Sequence, residues 1–173
     1  MYRPQRQSEK RAFLISAAVI SAVVLLGILA LLVVKETPPD PRWSGYSVTV
    51  DPLCEVGPLP EQTDDPSPVA EGSARYRMNR AVWYPSPRQE GTVLFQSDSG
   101  NRHLLKISYW VGERCVYESG FIPPGSHIAR AKLNESLLAG QYEAVCRIEL
   151  FDRQTAQSIG FLQEPITVTV DRQ

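Results

Sequence analysis

The longest apolar run in the chain is residues 12–34, 23 consecutive positions without a charge. At about 1.5 Å per residue, a helix of that length crosses a bilayer core of roughly 30 Å with slight tilt. A surface helix of a soluble domain carries a polar face, and this run has none. The pattern predicts one transmembrane α-helix. Arg3, Arg6, Lys10 and Arg11 precede it against the single acid Glu9, whereas Lys35 and Glu36 cancel after it. Basic flanks stay cytoplasmic, so the expected placement is the plasma membrane, with the amino terminus inside and the remaining chain outside. The exit, Ala30-Leu31-Leu32-Val33-Val34, lacks a small-residue cleavage pattern and reads as an uncleaved anchor. Ala17 and Ser21, and Ala18 and Ala22, are each four residues apart. Small residues at that spacing let helices approach closely in lipid, while tolerance of small residues in an anchor explains them equally simply.

Beyond the span the period changes from helical to two. Candidate strands are 47–50, 74–78, 92–96, 103–111, 114–118, 128–133, 141–151, 158–162 and 166–170. Leu105, Ile107, Tyr109 and Val111 fall on one face of their strand; Tyr142, Ala144, Cys146, Ile148 and Leu150 do so on theirs. Turn residues separate the strands, as in Ser97-Asp98-Ser99-Gly100-Asn101 and Pro123-Pro124-Gly125. With no helical stretch between them, the expected fold class is all-β, an antiparallel sandwich of two sheets. The domains expected are a basic tail at 1–11, the span at 12–34, a proline-rich spacer at 35–46 and a β-sandwich at 47–173.

One stretch resists the pattern. Residues 51–72 carry five prolines among six acidic side chains and predict a long connection, either solvated and flexible or functional. Its acids lack the oxygen-ligand spacing of a calcium loop. Of the 18 Lys and Arg and 19 Asp and Glu in the chain, four and one precede residue 35. The remainder therefore carries a net charge of about −4, spread evenly. That balance argues against nucleic acid as a partner.

The run Tyr117-Glu118-Ser119-Gly120-Phe121-Ile122-Pro123-Pro124-Gly125-Ser126-His127-Ile128, then Leu133 and Leu138-Ala139-Gly140-Gln141-Tyr142, resembles small membrane-anchored proteins of Clostridia-like Gram-positive bacteria. The resemblance covers roughly residues 91–170. It implies an immunoglobulin-like ectodomain at the bacterial cell surface and no activity. Gly140-x-Tyr142 is also similar to the tyrosine corner of immunoglobulin-type sandwiches, in which a cysteine follows two residues after the tyrosine. Here that position is Ala144.

The remaining chemistry is sparse. Cys115 and Cys146 admit a disulfide or two buried thiols acting as small apolar residues; Cys54, in the proline-rich loop, is the expected exposed thiol. His103 and His127 are the two histidines, and no nucleophile elbow, metalloprotease helix or phosphate loop accompanies them. Trp83 and Tyr84 read as a contact loop or as a plug over the core, and Trp110 alternates against its strand's apolar set. The expected function is non-enzymatic and cofactor-free: a surface module binding a protein or envelope polymer, or a structural subunit of an envelope assembly. The bilayer itself is the other expected partner.

Overall fold

A computed structural model describes residues 48–172. The expected span, with Ala17, Ala18, Ser21 and Ala22, lies outside the described residues. Nine strands follow one another: β1 (Glu55–Val56), β2 (Tyr76–Met78), β3 (Ala81–Tyr84), β4 (Gly91–Ser97), β5 (Leu104–Val111), β6 (Arg114–Glu118), β7 (Ser126–Ala131), β8 (Gly140–Phe151) and β9 (Ser158–Val170). They form a four-stranded sheet, β1-β7-β4-β2, and a five-stranded sheet, β3-β9-β8-β5-β6. The described chain is thus an all-β molecule with two sheets, as the alternation predicts. Val93, Phe95 and Ile128 from the first sheet meet Ile107, Tyr109, Cys146, Ile148 and Val168 from the second in one buried core. Burying each large apolar side chain there contributes about 1.5–3 kcal/mol.

Four expectations need correction. Val50 makes a single bridge to Phe121 and begins no strand, because the Asp51 carboxylate accepts from the Leu53 N–H at 2.8 Å and turns the chain. Trp83 and Tyr84 are not a loop. They lie on β3, which pairs in parallel with β9, and Tyr84 is fully buried, so it offers a partner nothing. That parallel pair also makes the second sheet mixed rather than purely antiparallel. The two expected terminal strands are one, since β9 runs through Pro165 without a break. Thr167 N–H donates to Arg80 C=O at 2.8 Å, on the side away from β8. Pro165, two residues earlier, directs its nitrogen the same way, so its missing N–H removes no bond to β8.

The proline-rich connection is polar, as its composition predicts, but its backbone is held. The buried Gln96 carboxamide accepts from Leu59 N–H at 2.9 Å and donates to Thr63 C=O at 3.1 Å and Asp98 Oδ1 at 2.7 Å. Asp64 accepts from Ser99 N–H, and Gly100 N–H donates to Asp65 C=O. A Cβ on Gly100 would stand 1.9 Å from the Ser67 carbonyl oxygen, so only glycine lets the segment lie this close. The segment is a flap pinned across the four-stranded sheet. At the other end of the molecule, the Tyr142 hydroxyl donates to Leu138 C=O at 2.9 Å.

Candidate functional site: the outer face of the five-stranded sheet

Side chains on β5, β6, β8 and β9 alternate between the core and the outside. On the outside, strand register places Cys115, Trp110, Val145 and Pro165 side by side across four strands. None carries a charge. The next row is polar, Ser108, Arg147 and Gln163, and beyond it Lys106, Glu149 and Phe161 align. An uncharged band therefore crosses a face whose neighbouring rows carry Lys106, Arg147 and Glu149. The Trp110 indole N–H donates to Ser108 Oγ at 2.9 Å, which fixes the ring, and Val145 is 38% exposed beside it. A shallow depression runs along this band, lined by Trp110, Gly112, Val145, Arg147 and Gln163. Arg147 lies 4.2 Å above the centre of the Phe161 ring and 3.0 Å from Glu149. Tryptophan and arginine are both enriched among the few residues that carry most of the binding energy at protein interfaces.

Of the two readings that the sequence leaves open for Cys115 and Cys146, the fold excludes the disulfide. Cys146 is fully buried on the core face of β8, while Cys115 sits on the outer face of β6 beside Trp110. β5 lies between their strands, so two interstrand spacings of about 4.8 Å separate them, beyond the reach of a bridge. All three cysteines are free. Cys54, expected to be the exposed thiol, is buried against Phe121; burial pushes its thiol up to about 12, as it does for Cys146.

Both histidines hold the flap. His103 Nε2 accepts from Gly72 N–H at 3.2 Å, and His127 Nδ1 lies 2.8 Å from the Gly57 carbonyl oxygen. Trp83 is exposed on β3 with its indole N–H donating to Asp171 at 2.9 Å. A second cleft, between the flap and the β2–β4 edge, is lined by Leu59, Arg77, Met78 and Leu94. Among the described residues no group of three His, Cys, Asp or Glu side chains is placed to hold a metal ion. The face itself was half legible in sequence: the parity of Trp110 pointed outward. That Val145, Pro165 and Cys115 would join it depends on register between strands up to 50 residues apart, to which periodicity within one strand is blind. No family model, curated protein or solved structure matches this chain.

Proposed function

We propose that this chain is a non-enzymatic binding module of the bacterial cell surface, anchored by residues 12–34, whose ectodomain grips a protein partner with the outer face of its five-stranded sheet. The observation that carries the reading is the uncharged row Cys115, Trp110, Val145 and Pro165 beside rows that carry Lys106, Arg147 and Glu149. Apolar side chains aligned on a flat, solvent-facing sheet have no role in the monomer's core, and such patches mark interaction surfaces.

The ectodomain is read as immunoglobulin-like. Support comes from the sheet orders. With β2, β4, β7 and β1 in the positions A, B, E and D, the other sheet runs G, F, C and C′ as β9, β8, β5 and β6. The Tyr142 tie then falls near the start of strand F, its usual place. Two departures accompany this. The strand in position D precedes A in the chain and belongs to the flap, and the buried aromatic on strand C is Tyr109 rather than a tryptophan.

The test is in-cell crosslinking and capture with the full chain, comparing the wild type with Trp110→Ser and with Val145→Glu. Both side chains lie outside the core, so each variant keeps the wild-type melting temperature within a few degrees. Recovery of a defined protein should fall at least tenfold in both. Undiminished recovery from folded variants overturns the face as the site. A third chain with its span exchanged for an unrelated one separates the assembly-subunit reading: loss of the complex with the exchange alone assigns packing to Ala17, Ala18, Ser21 and Ala22.

A further inference from the structure

Exposed strand edges invite another strand, and proteins usually block them. In this fold the free side of β3 is closed by side chains: Trp83 N–H donates to Thr92 Oγ1, and the Asn79 carboxamide donates to Ala81 C=O and accepts from Ala81 N–H. The free side of β6 is closed by Asn134 and Glu135, whose N–H groups donate to Val116 C=O, and by Asn134 Oδ1, which accepts from Glu118 N–H. β1 and β2, the edges of the other sheet, are two and three residues long. β9 is different. β3 covers it only from Thr167 to Val170, and among the described residues no strand flanks residues 158–166 on the side away from β8.

The open stretch has the character of a pairing strand. Residues 158–163 read Ser-Ile-Gly-Phe-Leu-Gln, with no charge and no proline, and Ile159, Phe161 and Leu162 are 45%, 53% and 41% exposed. No lysine guards it, and the one charge of the open stretch, Glu164 at its far end, is held by the Arg80 guanidinium at 2.7 Å and by the Tyr76 hydroxyl, which donates to it at 2.9 Å. Since Thr167 N–H points away from β8, the backbone groups of Gln163 and Phe161 point the same way and face solvent. Pro165 ends this ladder on one side, and the register shift opposite Leu150 and Phe151 ends it on the other. The regular open segment is therefore residues 160–164, with Leu162 at its centre.

We infer that β9 pairs with β9 of a second copy, antiparallel, about a two-fold axis beside Leu162. Such a pairing sets Leu162 opposite its counterpart, Phe161 opposite the partner's Gln163, and Gly160 opposite the partner's Glu164. No like charges meet across this ladder. The segment's one charge, Glu164, faces a glycine and the rest is uncharged, so the segment is complementary to itself, which favours a second copy over a partner selected by charge. The space beside Gly160, where a Cβ would have no neighbour within 4 Å, leaves room for the side chains brought in. Four backbone hydrogen bonds form, two for each outward-facing pair. The result is one continuous sheet of ten strands that carries two copies of the Trp110 face, and it stands or falls independently of what that face binds.

The test uses the full chain in membranes with Leu162→Cys, in a Cys115→Ser background that removes the part-exposed native thiol. Facing residues in a pair without hydrogen bonds stand about 4.5 Å apart at Cα, within disulfide range. Mild oxidation should give a covalent dimer of this chain. Adding Gln163→Pro, which removes an outward N–H and leaves the β8 ladder intact, should lower the dimer yield at least tenfold. Phe161→Lys, at an exposed side chain, should do the same, so the result does not hang on the proline variant folding. A chain that stays monomeric on oxidation, a dimer undiminished by both folded variants, or a covalent product with a different protein each overturns the inference.

Discussion

Cys115, Cys146 and Cys54 have the same side chain in three different settings. Cys146 is sealed in the core and Cys54 beneath Phe121, so losing a proton would leave a thiolate without water around it. Cys115 is part-exposed on the outer face, and burial raises its thiol as well, the largest cause ahead of the nearby Glu118. Only a thiolate reacts, and only an accessible one. With iodoacetamide at pH 8, mass spectrometry of the native protein should find label on Cys115 alone, added slowly. Denaturation should make all three sites react. Label appearing first on Cys54 would mean that the flap opens. The same contrast explains why these residues were hard to place from sequence. Strand parity put Cys146 inside correctly, but no local pattern reveals that Cys54, among prolines and acids, is drawn under the core's edge by a turn built on Asp51. Tyr84 is hidden from the sequence pattern for a related reason. Four residues, Ala81–Tyr84, are too short for alternation to stand out beside Pro85, and their pairing with β9 spans more than 80 positions.

Strands announced themselves wherever they were long. β5, β6 and β8 fall within a residue of their sequence-based limits, and β9 differs only because proline, read as a break, occupies a side of the strand that has no ladder to lose. The flap illustrates the opposite case. Composition identifies residues 51–72 as lacking regular structure, yet what holds them is Gln96, a polar residue on a distant strand. Its Oε1 and Nε2 serve three partners with no exposure to solvent. A buried Gln96→Ala would strand the Leu59 N–H and Thr63 C=O, and Asp98 Oδ1 would lose its close donor. Unmet buried groups cost about 1–3 kcal/mol each, less where water enters. Gln96→Ala should therefore lower stability by about 2–4 kcal/mol in urea titration. It should also open new cleavage sites within 57–72 under limited proteolysis at temperatures where the wild type resists. Unchanged cleavage would show that Asp64, Asp65 and Gly100 hold the flap without it.

Across the whole molecule the buried proton carriers act together. Cys54 and Cys146 are pushed from 9.0 to about 12 by burial, and Tyr84, Tyr109 and Tyr117 are raised above the usual tyrosine value of 10.0, again chiefly by burial. The hydroxyls of Tyr84 and Tyr117 lack hydrogen-bond partners among the described residues, so nothing offsets the loss of water around a phenolate. When the chain unfolds at high pH, these groups regain water and release their protons. The unfolded state then binds fewer protons than the folded one, and stability falls as pH rises. The window follows from the shifts: the contribution is fully present below about 9 and is lost as pH climbs toward 12. Three units on one thiol correspond to about 4 kcal/mol, so two thiols alone rival the entire stability of a small domain. Urea midpoints should stay level from pH 7 to about 8.5 and collapse above about 9.5. The double variant Cys54→Ala, Cys146→Ala should start from a lower midpoint, because two buried side chains are truncated, but decline less steeply. A midpoint that holds to pH 11 in the wild type would mean that water reaches these thiols and tyrosines, and with them the centre of the sandwich.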